Sequence, residues 1–152
     1  MRTLKKFLSL SFVALTLILS GCNSPGLSGG KVQREYFTGG QIRSEFIMSD
    51  STGRNGILKK YGYDGKVTSA AQIQNGKKNG TETWYDTQGN VIMTVPYLNG
   101  RKEGIQKVFY PDGKLMVYTT YRNDSKEGKA VKYNMDGSIN EEAYFRNGER
   151  VR

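Results

Sequence analysis

The sequence predicts an all-β fold, an elongated antiparallel meander of about five 24-residue β-hairpin repeats that forms an open, single-layer, twisted sheet. Three observations predict it. Glycines recur at a strict 24-residue interval, two turn signals fall within every interval, and the stretches between turns lack the long apolar periodicity of helices. A short unit repeated at a fixed period is the signature of a repeat protein. The repeated glycines are Gly56, Gly80, Gly104 and Gly128.

Each unit contains two predicted strands and two tight turns. Glycine and asparagine supply the positive φ angles that tight hairpin turns need. The first turns end at Gly65, Gly89, Gly113 and Gly137, and the second turns are built on Asn75-Gly76, Asn99-Gly100, Asn123-Asp124 and Asn147-Gly148. Five such units give about ten strands.

An aromatic residue follows each repeated glycine after five positions. These residues are Tyr61, Tyr85, Phe109 and Tyr133, with Tyr36 in the irregular first unit. Only 36% of the residues are apolar, so the core of such a ribbon is thin. We expect the matched rings to stack from unit to unit and to form its spine.

The first 21 residues read as a lipoprotein signal peptide. A basic start is followed by the apolar stretch from Phe7 to Leu19, which is too short to span a bilayer. It ends in Leu19-Ser20-Gly21-Cys22, which resembles a bacterial lipobox. That resemblance implies cleavage before Cys22 and attachment of a diacylglycerol to its thiol. An ordinary secretory signal is the alternative, but Cys22 is the only cysteine and stands where a lipobox requires it.

The signal divides the chain into three parts and suggests a location. Residues 1–21 are the signal peptide, 22–30 a lipidated flexible tether, and 31–152 the repeat domain. Acyl chains at Cys22 would anchor the protein to membrane lipid. The expected location is the bacterial cell envelope. Because Asn23 rather than aspartate follows the cysteine, the resemblance favours the outer membrane in an organism with two membranes.

The repeated pattern resembles a known family. Glycine, then an aromatic residue, then a turn glycine are followed by Tyr-x-Asn-Gly-x-(Lys/Arg)-x-Gly, and Tyr97 to Gly104 is the best single match. This pattern resembles the MORN repeats, specifically their bacterial variant. The resemblance implies stacked hairpins. Proteins with this variant are often described as YwqK-type antitoxins, and some carry lipoprotein signals. The chain departs from the pattern between Val32 and Gln41, and at Asp124, where glycine is expected.

The sequence offers no catalytic constellation. It contains no histidine, its one cysteine is assigned to lipid attachment, and no nucleophile, phosphate-binding or zinc motif occurs. We therefore expect a protein that is not an enzyme and that uses no cofactor and no metal.

Basic residues recur in register. The formal net charge of +9 falls to +6 without the signal peptide. Lys78, Lys102, Lys126 and Arg150 occupy the same position in successive units and are expected to line one edge of the ribbon. They either form a solvated edge that discourages sheet association, or a platform for an anionic partner such as phospholipid head groups or an acidic protein. Nucleic acid is not an expected partner of an exported protein.

Aromatic residues outside the repeat register are the other candidate binding residues. Packing between units does not explain them, and exposed rings serve well as binding anchors. We single out Trp84, Tyr110 and Tyr118.

Two functions fit these features. The first is a membrane-anchored, non-enzymatic protein-binding lipoprotein that neutralises a protein toxin, in the manner of an immunity protein or antitoxin. The alternative is an envelope structural or membrane-surface scaffold that binds anionic lipid or associates with copies of itself. A toxin or an envelope protein is the expected partner, and a homo-oligomer is possible on either reading.

Overall fold

The computed structural model describes residues 30–152, which form a single antiparallel sheet of 13 strands without helices. The predicted all-β meander is confirmed. Predictions for residues 1–29, including the lipobox and Cys22, lie outside the described residues. The strands are β1 (Val32–Tyr36), β2 (Ile42–Met48), β3 (Gly56–Tyr61), β4 (Val67–Gln74), β5 (Lys77–Lys78), β6 (Gly80–Tyr85), β7 (Val91–Leu98), β8 (Arg101–Lys102), β9 (Gly104–Phe109), β10 (Leu115–Arg122), β11 (Ser125–Tyr133), β12 (Ile139–Arg146) and β13 (Glu149–Arg150).

Ten long strands follow one another across the sheet in chain order, as the repeat count predicts. The other three, β5, β8 and β13, are two residues long and pair back onto the end of the preceding long strand. The sequence prediction missed these short strands. They form because a two-residue turn lets the ladder continue for two more residues before the chain leaves for the next unit.

The two kinds of turn have the geometry that their residues predict. In a first turn, the Gly65 N–H donates to the Gly62 carbonyl at 3.0 Å, and Gly65 has a φ of 75°. In the second turns both central residues have positive φ, and this includes Asp124 at 70°. Asp124 replaces the expected glycine, and its carboxylate accepts a hydrogen bond from the Lys102 N–H at 2.8 Å. That bond offsets part of the cost of the left-handed conformation.

Hydrogen bonds join each second turn to the second turn of the unit before it. The second central residue of each turn donates its N–H to a carbonyl 22 residues earlier, as Gly100 does to Lys78 at 2.7 Å. The preceding asparagine donates its N–H to a side chain of the earlier turn, as Asn123 does to Glu103 at 2.9 Å. The same pair of bonds recurs at Gly76, Asp124 and Gly148 and at Asn75, Asn99 and Asn147. Successive turns are therefore held at a fixed spacing along one long edge.

The strand register assigns side chains to two faces, since directly opposite residues share a face. One face, here called the tryptophan face, carries Leu58, Ala71, Glu82, Trp84, Val95 and Gln106. The other, here called the isoleucine face, carries Ile57, Thr83, Pro96, Ile105, Tyr118 and Val131. No second layer covers either face within residues 30–152.

The core of this single layer consists of small side chains. The buried apolar residues of the described region are Ala71, Val95, Val131 and Ala143. Small residues suffice because larger side chains from the neighbouring strands lie over them on the same face. The thin core predicted from composition is thus present.

The predicted spine of stacked rings is absent. Among residues 30–152 the close ring pairs are Phe37 with Tyr63 and Tyr118 with Tyr133, and neither pair joins successive matched aromatics. Matched residues lie two strands apart, about 10 Å, which is too far for direct ring contact. Repeated glycines instead pair with the aromatics that close the second strand: Gly80 with Tyr97, Gly104 with Tyr121 and Gly128 with Phe145.

An ionic cluster stabilises the irregular first unit. The Glu45 carboxylate accepts hydrogen bonds from the Arg34 guanidinium at 2.7 Å and from the Tyr61 hydroxyl at 2.5 Å. The bond from Tyr61, followed by Arg34, lowers the pKa of Glu45. Burial and the bond to Glu45 raise the pKa of Tyr61 to about 12. The cluster joins β1, β2 and β3.

This cluster predicts an acid-sensitive contribution to stability. Because the pKa of Glu45 is lowered in the folded state, its contribution is present above the ordinary carboxyl pKa and is lost as pH falls through the lowered value. We expect Glu45→Gln to lower the free energy of unfolding at pH 7 and to flatten its dependence on pH below about pH 5. Urea unfolding between about pH 3 and pH 7 measures this. Equal steepness in both proteins would contradict it, and Glu149→Gln, at an exposed carboxylate, is the control.

Candidate functional site

The basic row lies where the sequence places it, along the edge formed by the second turns. Its lysines, however, each lie over an aromatic ring of the next unit, 19 residues further along the chain. The Nζ atoms of Lys78, Lys102 and Lys126 are 4.7, 4.9 and 4.8 Å from the ring centres of Tyr97, Tyr121 and Phe145. Cation–π contacts of this kind contribute about 0.5–1 kcal/mol each at partly exposed sites. The row therefore packs successive units together.

Lys78 makes a contact that the other lysines of the row lack. Its Nζ lies 2.6 Å from the Glu82 carboxylate, which is 2% exposed. Burial, followed by the charge of Glu82, raises the pKa of Tyr97 to about 12. Lys78, Glu82 and Tyr97 thus form a largely buried charged cluster on the tryptophan face, between the second and third units.

Arg150 ends the row with a different partner. Its guanidinium lies 2.8 Å from the Glu141 carboxylate, and both side chains are about half exposed. A contact of this exposure is worth less than about 1 kcal/mol.

Trp84 lies on the tryptophan face, directly opposite Ser69 and Met93. Its indole Nε1 is buried without a hydrogen-bond partner in the described part of the chain. The Gln106 Oε1 is buried and unpartnered in the same way, while its amide nitrogen lies 3.5 Å from the Met93 sulfur. The middle of this face therefore holds one unused donor and one unused acceptor.

The other two aromatic candidates have structural contacts. The Tyr110 hydroxyl donates to the Tyr133 carbonyl at 2.8 Å and so links the first turns of neighbouring units. Tyr118 lies on the isoleucine face with its ring 6.3 Å from that of Tyr133. Both residues remain predicted anchors, although each already contributes to packing between units.

The structure does not gather the predicted binding residues into one patch. Trp84 shares a face with the basic row but lies four residues along β6 from Gly80, about 13 Å. Tyr118 lies on the opposite face, and Tyr110 lies at a first turn. A single partner surface could engage only some of them.

An exposed aliphatic patch is the surface that sequence reasoning missed. On the isoleucine face, Ile57, Leu98 and Ile105 are 45%, 54% and 47% exposed. Ile57 and Ile105 both follow a repeated glycine, and the equivalent positions hold Thr81 and Lys129. Comparing that position between units would have identified the patch, because packing alone does not require isoleucine there.

The described residues contain neither a metal cluster nor a membrane-spanning helix. Within residues 30–152, no three acidic, cysteine or histidine side chains lie close enough to hold a metal ion. In the same region no helix is long and apolar enough to cross a bilayer.

Comparison with protein families identifies two of the units. A model described as a MORN repeat variant matches residues 78–99 and 102–123. The chain therefore contains at least two adjacent MORN-variant repeats, which confirms that part of the predicted resemblance. No curated protein matches the sequence.

Solved structures resemble the fold. In a structure of an S. aureus TarM mutant in complex with fondaparinux, alpha-GlcNAc-glycerol and UDP, 21% of that chain aligns with 74% of this one, at a TM-score of 0.51 and 12% identity. A second TarM structure aligns with 88% of this chain and 21% of that chain, at a TM-score of 0.41 and 13% identity. The chain thus spans about a fifth of the length of TarM, and the likeness concerns the fold alone.

These matches correct the prediction that the chain is not an enzyme. TarM is a glycosyltransferase, so a sheet of this fold occurs within an enzyme chain. Repeat architecture is therefore no ground for excluding an enzymatic role, and the prediction is wrong.

Proposed function

We propose that the chain is a membrane-anchored lipoprotein that binds a protein partner through one face of its sheet and neutralises a protein toxin in the manner of an immunity protein. The observation that carries the binding role is the exposed aliphatic patch formed by Ile57, Leu98 and Ile105 on an uncovered sheet face. Exposed apolar side chains grouped on one surface are typical of protein-binding sites.

The isoleucine face suits such a partner better than the tryptophan face. Pro96 lies between Ile105 and Thr81 in the strand order, so the patch continues across several strands without a charged side chain in that row. Lys59 and Lys107 lie in the next row and would form part of a polar rim. Tyr118, beside Lys107, is the predicted anchor that this face would offer.

The membrane anchor is supported by the lipobox-like segment and its single cysteine. Leu19-Ser20-Gly21-Cys22 follows an apolar stretch of signal-peptide length, and lipidation would account for an otherwise unpaired thiol in an exported chain. In this proposal Cys22 carries the lipid, and the protein resides in the cell envelope, with the outer membrane favoured.

Capture of the partner tests the toxin-binding role. The chain with Cys22→Ser is used to capture proteins from its own cell envelope at moderate and raised salt, and the gene of any stoichiometric partner is then expressed with and without this chain. We expect one salt-resistant protein whose expression arrests growth, and we expect growth to recover when the chain is present. A partner that does not arrest growth would contradict the neutralising role.

A paired variant tests the face. We expect Ile57→Asp with Ile105→Asp to abolish capture, because two charges would be buried against the partner. Met135→Asp, at a similarly exposed residue of a first turn, should leave capture unchanged. Recovery of only this chain or of anionic lipid, lost as salt rises, would instead favour the membrane-surface scaffold.

A further inference from the structure

The chain enters the sheet at the edge formed by the second turns. Val32 of β1 pairs with Ile47 near the end of β2, and the Lys31 carbonyl accepts the Met48 N–H at 2.9 Å. Gly30 packs so closely on the Met48 carbonyl that a Cβ there would clash with its oxygen. The segment that leads to Cys22 therefore leaves from this edge rather than from a face.

We call this the second-turn edge and define it as residues 30–31, 49–55, 74–79, 98–103, 122–127 and 146–152. The opposite, first-turn edge comprises residues 37–41, 62–66, 86–90, 110–114 and 134–138. A long strand such as β4 joins the two edges over eight residues, so they lie about 26 Å apart.

Charge is distributed unequally between the two edges. The second-turn edge carries eleven Lys or Arg and five Asp or Glu residues, a net charge of +6, which equals the net charge of all residues from 30 to 152. The first-turn edge carries two lysines and four aspartates. The eleven cations are Lys31, Arg54, Lys77, Lys78, Arg101, Lys102, Arg122, Lys126, Arg146, Arg150 and Arg152.

Most of these cations are not neutralised by the carboxylates beside them. Of the five acidic residues of this edge, four accept hydrogen bonds from backbone N–H groups of the turns: Asp50, Glu103, Asp124 and Glu127. The two ion pairs at this edge, those of Lys78 and Arg150, use Glu82 and Glu141 from the strands. In the regular units of the described chain, four exposed cations make no side-chain hydrogen bond, ion pair or ring contact: Lys77, Arg101, Arg122 and Arg146.

These cations form a regular line. Equivalent residues of successive units lie two strands apart, about 10 Å, so the line runs for roughly 40 Å along the edge. The bonds between successive second turns hold that spacing fixed. A straight, rigid line of positive charge suits an extended negative surface better than a compact anion.

We propose that the second-turn edge docks on anionic phospholipid head groups, so that the sheet stands edge-on at the membrane. The orientation rests on the proposed lipid anchor, since residues 22–30 lead from this edge and reach at most about 30 Å. The docking itself needs only the charges. In this arrangement both faces and the acidic first-turn edge remain accessible to a protein partner.

Binding to vesicles tests the docking. The full chain with Cys22→Ser is titrated with vesicles of phosphatidylglycerol and phosphatidylcholine, and with phosphatidylcholine alone. We expect binding to the anionic vesicles that weakens as salt rises. Lys77→Gln, Arg101→Gln, Arg122→Gln and Arg146→Gln combined should weaken it by about two orders of magnitude or more, since each basic residue near such a surface is worth about fivefold.

A second fourfold variant is the matched control. Lys59→Gln, Lys60→Gln, Lys107→Gln and Lys132→Gln remove the same total charge from the strands, and we expect them to weaken binding less than about tenfold. Both variants share the same N-terminal segment, so its own affinity for lipid cancels in the comparison. Equal losses in the two variants, or no preference for anionic vesicles, would overturn the proposal.

A distance measurement tests the orientation. A fluorophore is attached through Ser125→Cys at the second-turn edge or through Gln88→Cys at the first-turn edge, and the vesicles carry a lipid-borne quencher. We expect quenching at position 125 and little at position 88, while equal quenching would show that the sheet lies flat and would refute the edge-on arrangement. Mass analysis of Cys22 in native membranes separately tests the lipid anchor, so failure of either idea is recognised independently.

Discussion

Replacing Lys78 with alanine is expected to lower the free energy of unfolding by about 3–5 kcal/mol, the usual cost of removing one partner of a buried ion pair. The substitution leaves the Glu82 carboxylate 2% exposed with no cation beside it. A buried carboxylate without its cation loses hydration and gains nothing in return. Urea unfolding at about pH 7, followed by circular dichroism, measures the change.

The repeat provides the control for this prediction. Lys102→Ala removes the same side chain one unit later, but Gln106 stands where Glu82 stands in the previous unit. Only the contact with the Tyr121 ring is lost, so we expect a loss of about 0.5–1 kcal/mol. Equal losses for the two alanines would show that the carboxylate contributes nothing. Lys78→Met with Glu82→Leu should recover most of the stability, because it removes both charges together.

The fold was predictable because its signals are local. Turn residues such as Asn99 and Gly100 adopt positive φ at low cost, and their strict spacing sets the strand lengths. Even Asp124, which departs from the pattern, keeps the turn because aspartate tolerates this conformation and its carboxylate finds a donor. Turn chemistry and period together determine an antiparallel meander before any packing is considered.

Side-chain partners were less predictable, because they depend on distances across the sheet. The matched rings, such as Tyr61 and Tyr85, recur in the sequence at the period expected for stacking, yet two strand spacings separate them. The true partners of aromatics such as Tyr97 are a glycine on the neighbouring strand and a lysine of the preceding unit. Both pairings recur at fixed separations, 17 and 19 residues, which a search for covarying spacing within one chain could detect.

The candidate surfaces show the same division. The position of the basic row followed from its period, whereas the charge difference between the two long edges required the topology that brings all second turns together. The entry of Lys31 at that edge depends on the pairing of β1 with β2. That pairing lies in the irregular first unit, where the repeat pattern gives the least guidance.

Gly56→Ala is expected to lower the free energy of unfolding by about 3 kcal/mol through overpacking. A Cβ at this position would clash with the Ile47 carbonyl oxygen and would lie 2.9 Å from the Phe46 ring. Ile47 pairs with Ile57 in the ladder between β2 and β3, so its carbonyl cannot move without disturbing that pairing. The damage is expected at the junction between the first unit and the regular repeats.

Gly128→Ala, at the equivalent position three units later, separates crowding from backbone conformation. Its added Cβ would meet nothing closer than the Thr120 Cβ at 3.9 Å, so only the positive φ of 88° opposes alanine. That cost is about 1 kcal/mol. Chemical unfolding of the two variants should therefore differ by about 2 kcal/mol. If Gly128→Ala were as damaging as Gly56→Ala, the repeated glycine would be required for its φ alone, and close strand approach at the first junction would not explain its presence.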